Sequence, residues 1–240
     1  MNLSISENAE AAAAAAAAFL VGSARLALRF RSRCCIALSG GSTPKRLYRI
    51  LVSRHRHSVD WQRLLFFLSD ERYVPLDDPA SNAGLAIESL IRPLGLPLDG
   101  IETVPTKDNR PERAAAAYQD AVVHHLGADP RFDLILLGLG EDGHTASLFP
   151  GTRALDEKDA LVAANWVENA SAWRITFTYP LLNRARRLLF LVTGRSKAER
   201  VRDILQDRRP DLPAARLDPD SPGISWFLDA DAAYLIGGRV

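Results

Sequence analysis

The sequence predicts an α/β fold, a single layered domain with a mostly parallel open sheet flanked by helices. Three observations carry this. Short apolar runs recur along the 240 residues, amphipathic helical segments alternate with them, and glycine-containing turns follow several of the runs. Continuous apolar runs belong to strands buried on both faces, as in parallel sheets covered by crossover helices. No internal repeat or linker divides the chain, and its length suits one large domain.

The chain opens on MNLSISENAEAAAAAAAAFLVGSARLALRF. Glu7 and Glu10, and no basic residue, precede the alanine run, which is not the pattern of a secretory signal. Alanine is the strongest helix former and only weakly apolar, so a helix from Glu7 to Phe30 with Ser6 as its cap is expected. No other segment approaches a span of about 20 apolar residues. A cytoplasmic protein that does not bind membranes is the expectation.

CCIAL is the first interior strand, and adjacent Cys34 and Cys35 read as small core residues in a reducing compartment. SGGSTPKRLYRIL follows it, with Ser42 and Thr43 offering hydroxyls and Pro44 as the first helical residue. A glycine-rich turn that opens a helix aims free backbone N–H groups at an anion, although the spacing of nucleotide P-loops is absent. LLFFL is the next strand. SDERYVPLDDPASNAGL puts Asp70, Glu71 and Arg72 just beyond it, a run of charge whose usual fate is a solvated turn.

The helical segments NAGLAIESLI, PERAAAAYQDAVVHHL and SKAERVRDILQ and the strands DLILLGL, RLLFLVT and AAYLI complete a Rossmann-like layered pattern. Arg174 in AWRITFTYPLLN and Lys197 in TGRSKAERV fall near strand ends, where a basic side chain can reach a ligand. PLGLPLDGIETVPTKDNRP and QDRRPDLPAARLDPDSPG read as surface connections.

Thirty basic residues face twenty-nine acidic ones, so no overall field recruits nucleic acid or an anionic membrane. An anionic partner must be small and held by local groups.

The run GLGEDGHTASLFPG contains Gly138, Gly140 and Gly143 at the spacing of a dinucleotide fingerprint. That fingerprint requires its third glycine to open a long helix, yet Pro150 and Gly151 arrive within eight residues of Gly143. The glycines instead permit a sharp turn at a strand end, presenting Glu141, Asp142, His144, Thr145 and Ser147. No HExxH spacing accompanies them, and His55, His57, His124 and His125 read as surface residues. Neither a metal nor a cofactor is expected.

SGGSTPKRLY, LSDERYVP with SNAGLA, LGLGEDGHTASLFPG, RITFTYPLLN and VTGRSKAERV resemble, in order and approximate spacing over nearly the whole chain, the 6-phosphogluconolactonases. The resemblance implies hydrolysis of 6-phosphoglucono-δ-lactone to 6-phosphogluconate in the oxidative pentose phosphate pathway. Glucosamine-6-phosphate deaminases are similar in fold, but their loop typically continues GHIAFNEP with an acidic residue that assists ring opening. Here Phe149 stands where that glutamate would fall.

Lactone hydrolysis requires an activated water, a stabilised carbonyl oxygen and a substrate held in register. His144 is the candidate general base, Asp142 its orienting partner, and Arg72 or glycine N–H groups the oxyanion stabiliser. The resemblance implies a phosphate on Gly40, Gly41, Ser42 and Thr43, with Arg174 and Lys197 adding charge and Asp70 among the substrate-binding residues. Whether Arg72 serves the phosphate or the reacting carbonyl stays open, as does the oligomeric state. The Lys-Pro-rich segment common before the R-x-T strand is absent from WVENASAWRIT, which shifts load to Arg174. The alternatives are a deaminase or isomerase, and a sugar-phosphate-sensing module, which would usually need a DNA-reading element. A general esterase lacks its G-x-S-x-G elbow.

Overall fold

The computed structural model describes residues 1–107, 110–218 and 223–237. Parts of both Pro-rich connections, residues 108–109 and 219–222, lie outside the described residues. The strands are β1 (Asn2–Ser6), β2 (Cys34–Leu38), β3 (Leu64–Leu68), β4 (Asp70–Arg72), β5 (Leu134–Leu137), β6 (Val162–Val167), β7 (Ala172–Phe177), β8 (Leu188–Val192) and β9 (Ile224–Asp229). The helices are α1 (Ala9–Phe30), α2 (Ser42–His55), α3 (Asn82–Ala86), α4 (Arg92–Leu94), α5 (Pro111–Leu126), α6 (Tyr179–Leu182) and α7 (Ala198–Leu205).

A six-stranded sheet runs β1-β9-β8-β5-β2-β3 with every neighbouring pair parallel. This is the predicted α/β class. Successive residues of β2 and β3 feed two cores. Ile36, Leu38, Phe66 and Leu68 meet α1 and α2 on one face, while Ala37, Leu65 and Phe67 meet Tyr118 and Val122 of α5 on the other. Burial on both faces is why these strands read as unbroken apolar runs.

α1 is long and apolar enough by length and composition alone to cross a membrane. Its stripe Ala12, Ala13, Ala16, Ala17, Leu20, Val21, Ala24 and Ala27 is buried at three- and four-residue spacing, and small side chains let the helix lie close to α2 and β9. The helix starts at Ala9, capped by the Asn8 side chain on the Ala11 N–H, rather than at Glu7 under Ser6. Ser6 instead ends the edge strand β1.

The last strand is ISWFLD, not AAYLI. The Asp229 carboxylate accepts from the Gly194 and Ala232 N–H groups and turns the chain, so AAYLI forms turns beyond the sheet. The charge run Asp70–Arg72 is no solvated turn either. It pairs antiparallel with β7, which pairs with β6, in a small second sheet. NAGLAIESLI is helical but widens into a π turn over Ile87–Ile91, just before Pro93, which cannot donate. The two connections are less superficial than their composition implies, since Ile101 bridges to Phe66 and Leu212, Ala214 and Leu217 are buried.

Candidate active site

The chain passes from β2 to β3 on one side of the sheet and from β5 to β8 on the other, so β2 and β5 flank a topological switch point. Loops at the carboxyl ends of such strands diverge and leave a crevice. A cavity of about 290 Å³ lies there, walled by the β2–α2 turn, the loop after β5, the face of β4 and the chain after β8.

The β2–α2 turn builds one end. Gly41 sits at φ 102, a conformation that glycine alone adopts without strain. α2 begins at Ser42, so Pro44 is its third residue rather than its first, and no side chain caps the helix. The first-turn N–H groups of Ser42 and Thr43 have no intrahelical acceptor by construction, and they carry the positive end of the helix dipole. The Thr43 hydroxyl pairs with Thr193 at 3.1 Å, and Lys197 reaches the same cavity with its Nζ 3.8 Å from the exposed Glu141 carboxylate.

β4 supplies the adjoining wall. Asp70 and Arg72 face the cavity, and alternation along the strand turns Glu71 away from it. Burial pushes the Glu71 carboxyl up, opposed by N–H groups of Ala83, Asn82 and Arg72 that favour its ionised form. Through those bonds Glu71 anchors α3 on β4. Asp70 accepts from the Ser147 hydroxyl at 2.7 Å, and Arg72 donates to the Ala80 carbonyl at 2.8 Å. Arg174 is the cross-strand partner of Arg72. Its guanidinium is held below its ordinary range by burial and by the charge of Arg72, which Asp70 and Glu71 partly offset. Two neighbouring guanidiniums make this edge of the cavity attractive to an anion.

The loop after β5 brings the imidazole of His144 to the cavity. His144 Nδ1 lies 2.6 Å from Asp142 Oδ1, which also accepts the His144 backbone N–H at 3.1 Å. Burial works to raise the Asp142 carboxyl, but the hydrogen bond and charge of His144 outweigh it and hold it below the usual carboxylate range. An ionised carboxylate only accepts, so Nδ1 carries the hydrogen and Nε2 is left as the basic nitrogen. The Phe149 ring packs on the imidazole at 3.9 Å between centroids, so an aromatic face stands where a deaminase loop would place its acid. Thr145 and Ser147 are buried and shape the loop, through Thr145 Oγ1 to the Gly138 carbonyl and the Ser147 N–H to Thr176. Ala146, at φ 48, is strained between them.

Gly140 explains one glycine of the fingerprint. A Cβ there would lie 2.1 Å from His144 Nδ1 and 2.6 Å from Asp142 Oδ1. Gly140→Ala should therefore displace the imidazole and lower kcat by about 100-fold, the scale of a 1 Å misplacement. Steady-state kinetics on the folded variant check this, with unchanged kcat as the contrary result.

The structure thus gathers Gly40, Gly41, Ser42, Thr43, Asp70, Arg72, His144 and Lys197 around one cavity. Asp142 stands behind His144, and Arg174 lies beside Arg72 outside the cavity lining. Sequence reasoning missed Asn82 and Thr193, which also line it, and the support that Ser147 gives Asp70. SNAGLA was visible as a helix start, but nothing in it announced contact with a turn forty residues earlier. Among the described residues no three His, Cys, Asp or Glu side chains form a metal-ligand group.

Residues 7–226 match the family described as glucosamine-6-phosphate isomerases/6-phosphogluconolactonase. A 6-phosphogluconolactonase of Synechocystis sp. is 40% identical over 211 residues, covering 86% of each chain, and one of Treponema pallidum is 39% identical over 205 residues, covering 84% of each. The solved 6-phosphogluconolactonase of Trypanosoma cruzi is 31% identical with a TM-score of 0.89, covering 99% of this chain and 97% of the other. By sequence and by fold, the chain belongs to the glucosamine-6-phosphate isomerase/6-phosphogluconolactonase family.

Proposed function

We propose that this chain, as one domain and without a cofactor, hydrolyses 6-phosphoglucono-δ-lactone to 6-phosphogluconate in the cytoplasm, as a step of the oxidative pentose phosphate pathway. The observation that carries the reading is that His144, held by Asp142, and the uncapped N-terminus of α2 line one cavity. A ligand with a carbonyl at one end and a phosphate at the other suits that pair of features, and relatives that carry the name 6-phosphogluconolactonase support it.

The phosphate rests on the N–H groups of Ser42 and Thr43, with Lys197 balancing its charge. His144 Nε2 takes a proton from water as its oxygen attacks the lactone carbonyl carbon, and Asp142 stabilises the imidazolium. The Gly140 N–H is already donated to the His144 carbonyl and the Gly143 N–H to the Gly140 carbonyl, so neither serves the oxyanion. Arg72 lines the same cavity with a permanent positive charge, and we assign it to the reacting end. Collapse of the tetrahedral intermediate breaks the ring C–O bond, and the imidazolium returns its proton to the departing ring oxygen. Arg174 backs Arg72 with a second positive charge.

Freshly generated 6-phosphoglucono-δ-lactone should decay well above its spontaneous rate in the presence of the protein, and glucosamine 6-phosphate should release no ammonia. Decay at the spontaneous rate, or ammonia release, would point to a sensing module or a deaminase instead.

A further inference from the structure

Asn82 Oδ1 is a buried polar atom with no hydrogen-bond partner, one of two such side-chain atoms among the described residues. Asn82, the first residue of α3, is 2% exposed and lines the cavity. Its backbone N–H is donated to Glu71 at 2.7 Å, and its Nδ2 donates to the Asp70 carbonyl at 2.9 Å. A carbonyl only accepts, so that bond fixes the amide orientation and turns Oδ1 toward Gly40. A Cβ on Gly40 would lie 1.7 Å from Asn82 Oδ1 and 2.2 Å from Cγ, and the three nearest atoms all belong to Asn82. Gly40 is absent from the residues with positive φ, so its need for glycine comes from this contact and not from its backbone conformation.

A buried amide oxygen left without a donor is an exception that calls for a reason. Packing against Gly40 does not replace the missing donor, but the bond from Nδ2 to the Asp70 carbonyl holds the amide in this orientation. The Asn82 amide spans the gap between the β2–α2 turn and β4, bonded to one and pressed against the other.

We propose that Asn82 is a positioning residue for the phosphate end of the site. Acting through Gly40 and Asp70, it sets the distance between the Ser42 and Thr43 N–H groups and the β4 wall. Loosening that spacing penalises only a substrate long enough to engage both. The proposal rests on the reading of the β2–α2 turn as the phosphate cradle.

The test compares Asn82→Ala and Lys197→Ala on 6-phosphoglucono-δ-lactone and on unphosphorylated glucono-δ-lactone. Asn82→Ala should raise KM for the phosphorylated lactone about tenfold with little change in kcat, and leave kcat/KM for the unphosphorylated one within about twofold. Gly40→Ala should be severely impaired, and the Gly40→Ala/Asn82→Ala double variant should recover about tenfold or more over the single one, since removing the amide removes the clash. Equal losses on both lactones, or no recovery in the double variant, would overturn the proposal. If Lys197→Ala is selective for the phosphorylated lactone and Asn82→Ala is not, the cradle stands and the Asn82 proposal fails. If neither is selective, the cradle reading itself fails. Should Asn82→Ala not fold, Asn82→Ser gives the same readout, and failure of both to fold would make Asn82 a folding residue and overturn the proposal.

Discussion

Replacing His144 by Asn should lower kcat on 6-phosphoglucono-δ-lactone by roughly 100-fold or more, the usual contribution of a positioned general base. Asparagine keeps a comparable size and a polar group toward Asp142 but cannot take a proton from water. His144 is not among the groups assigned to the phosphate, so affinity for 6-phosphogluconate should be nearly unchanged. Initial rates with the spontaneous reaction subtracted, alongside calorimetric titration of the product, separate the two effects. A folded His144→Asn protein with near-native kcat would remove the residue from the chemistry. A matching loss of product affinity would place it in binding instead.

Unphosphorylated glucono-δ-lactone should have a kcat/KM about 100-fold or more below that of the phosphorylated lactone. Hydrogen bonds to a charged group are worth about 1.5–3 kcal/mol each, so losing two of them already reaches that factor. The near-zero net charge of the chain sharpens the expectation, because no general field compensates for a missing local contact. Lys197→Ala should raise KM about tenfold with kcat little changed, since the ammonium binds ground and transition states alike. The ion pair of Lys197 with Glu141, at 3.8 Å, is weak at an exposed carboxylate and should not prevent phosphate capture. Equal efficiency on both lactones would dismiss the cradle.

The parallel sheet was legible because burial on both faces writes strands such as LLFFL as uninterrupted apolar runs. β1 was hidden because three of the five residues of NLSIS are polar and none is fully buried, unlike LLFFL at the opposite edge, which is buried throughout. β4 was hidden more deeply. Three charged residues have no strand propensity of their own, and only pairing with β7 makes Asp70–Arg72 extended. β9 was missed because Ser225 interrupts ISWFLD and Asp229 ends it, while AAYLI offered an unbroken apolar run a few residues later. In the site, the turn after β2 and the loop after β5 could be read because glycines beside hydroxyl, carboxylate and imidazole groups at strand ends are local signals. Asn82 and Ser147 could not. Their roles are contacts with Gly40 and Asp70, made by tertiary packing and carrying no local sequence signature.

The pH dependence of kcat/KM tests most directly whether a neutral His144 held by Asp142 activates the water. The Asp142 carboxyl lies below its usual range, so its stabilising bond to His144 is present above the ordinary carboxylate pKa and is lost only as pH falls through the lowered one. A general base must be unprotonated to accept from water, and Asp142 keeps its bond to the imidazole at every pH above its own lowered pKa. With the spontaneous rate subtracted at each pH, kcat/KM should fall about tenfold per pH unit on the acid side and level off above it. The His144→Asn variant should lose that limb. A wild-type profile that is flat, or that rises toward acid, would contradict the assignment of His144 as the base.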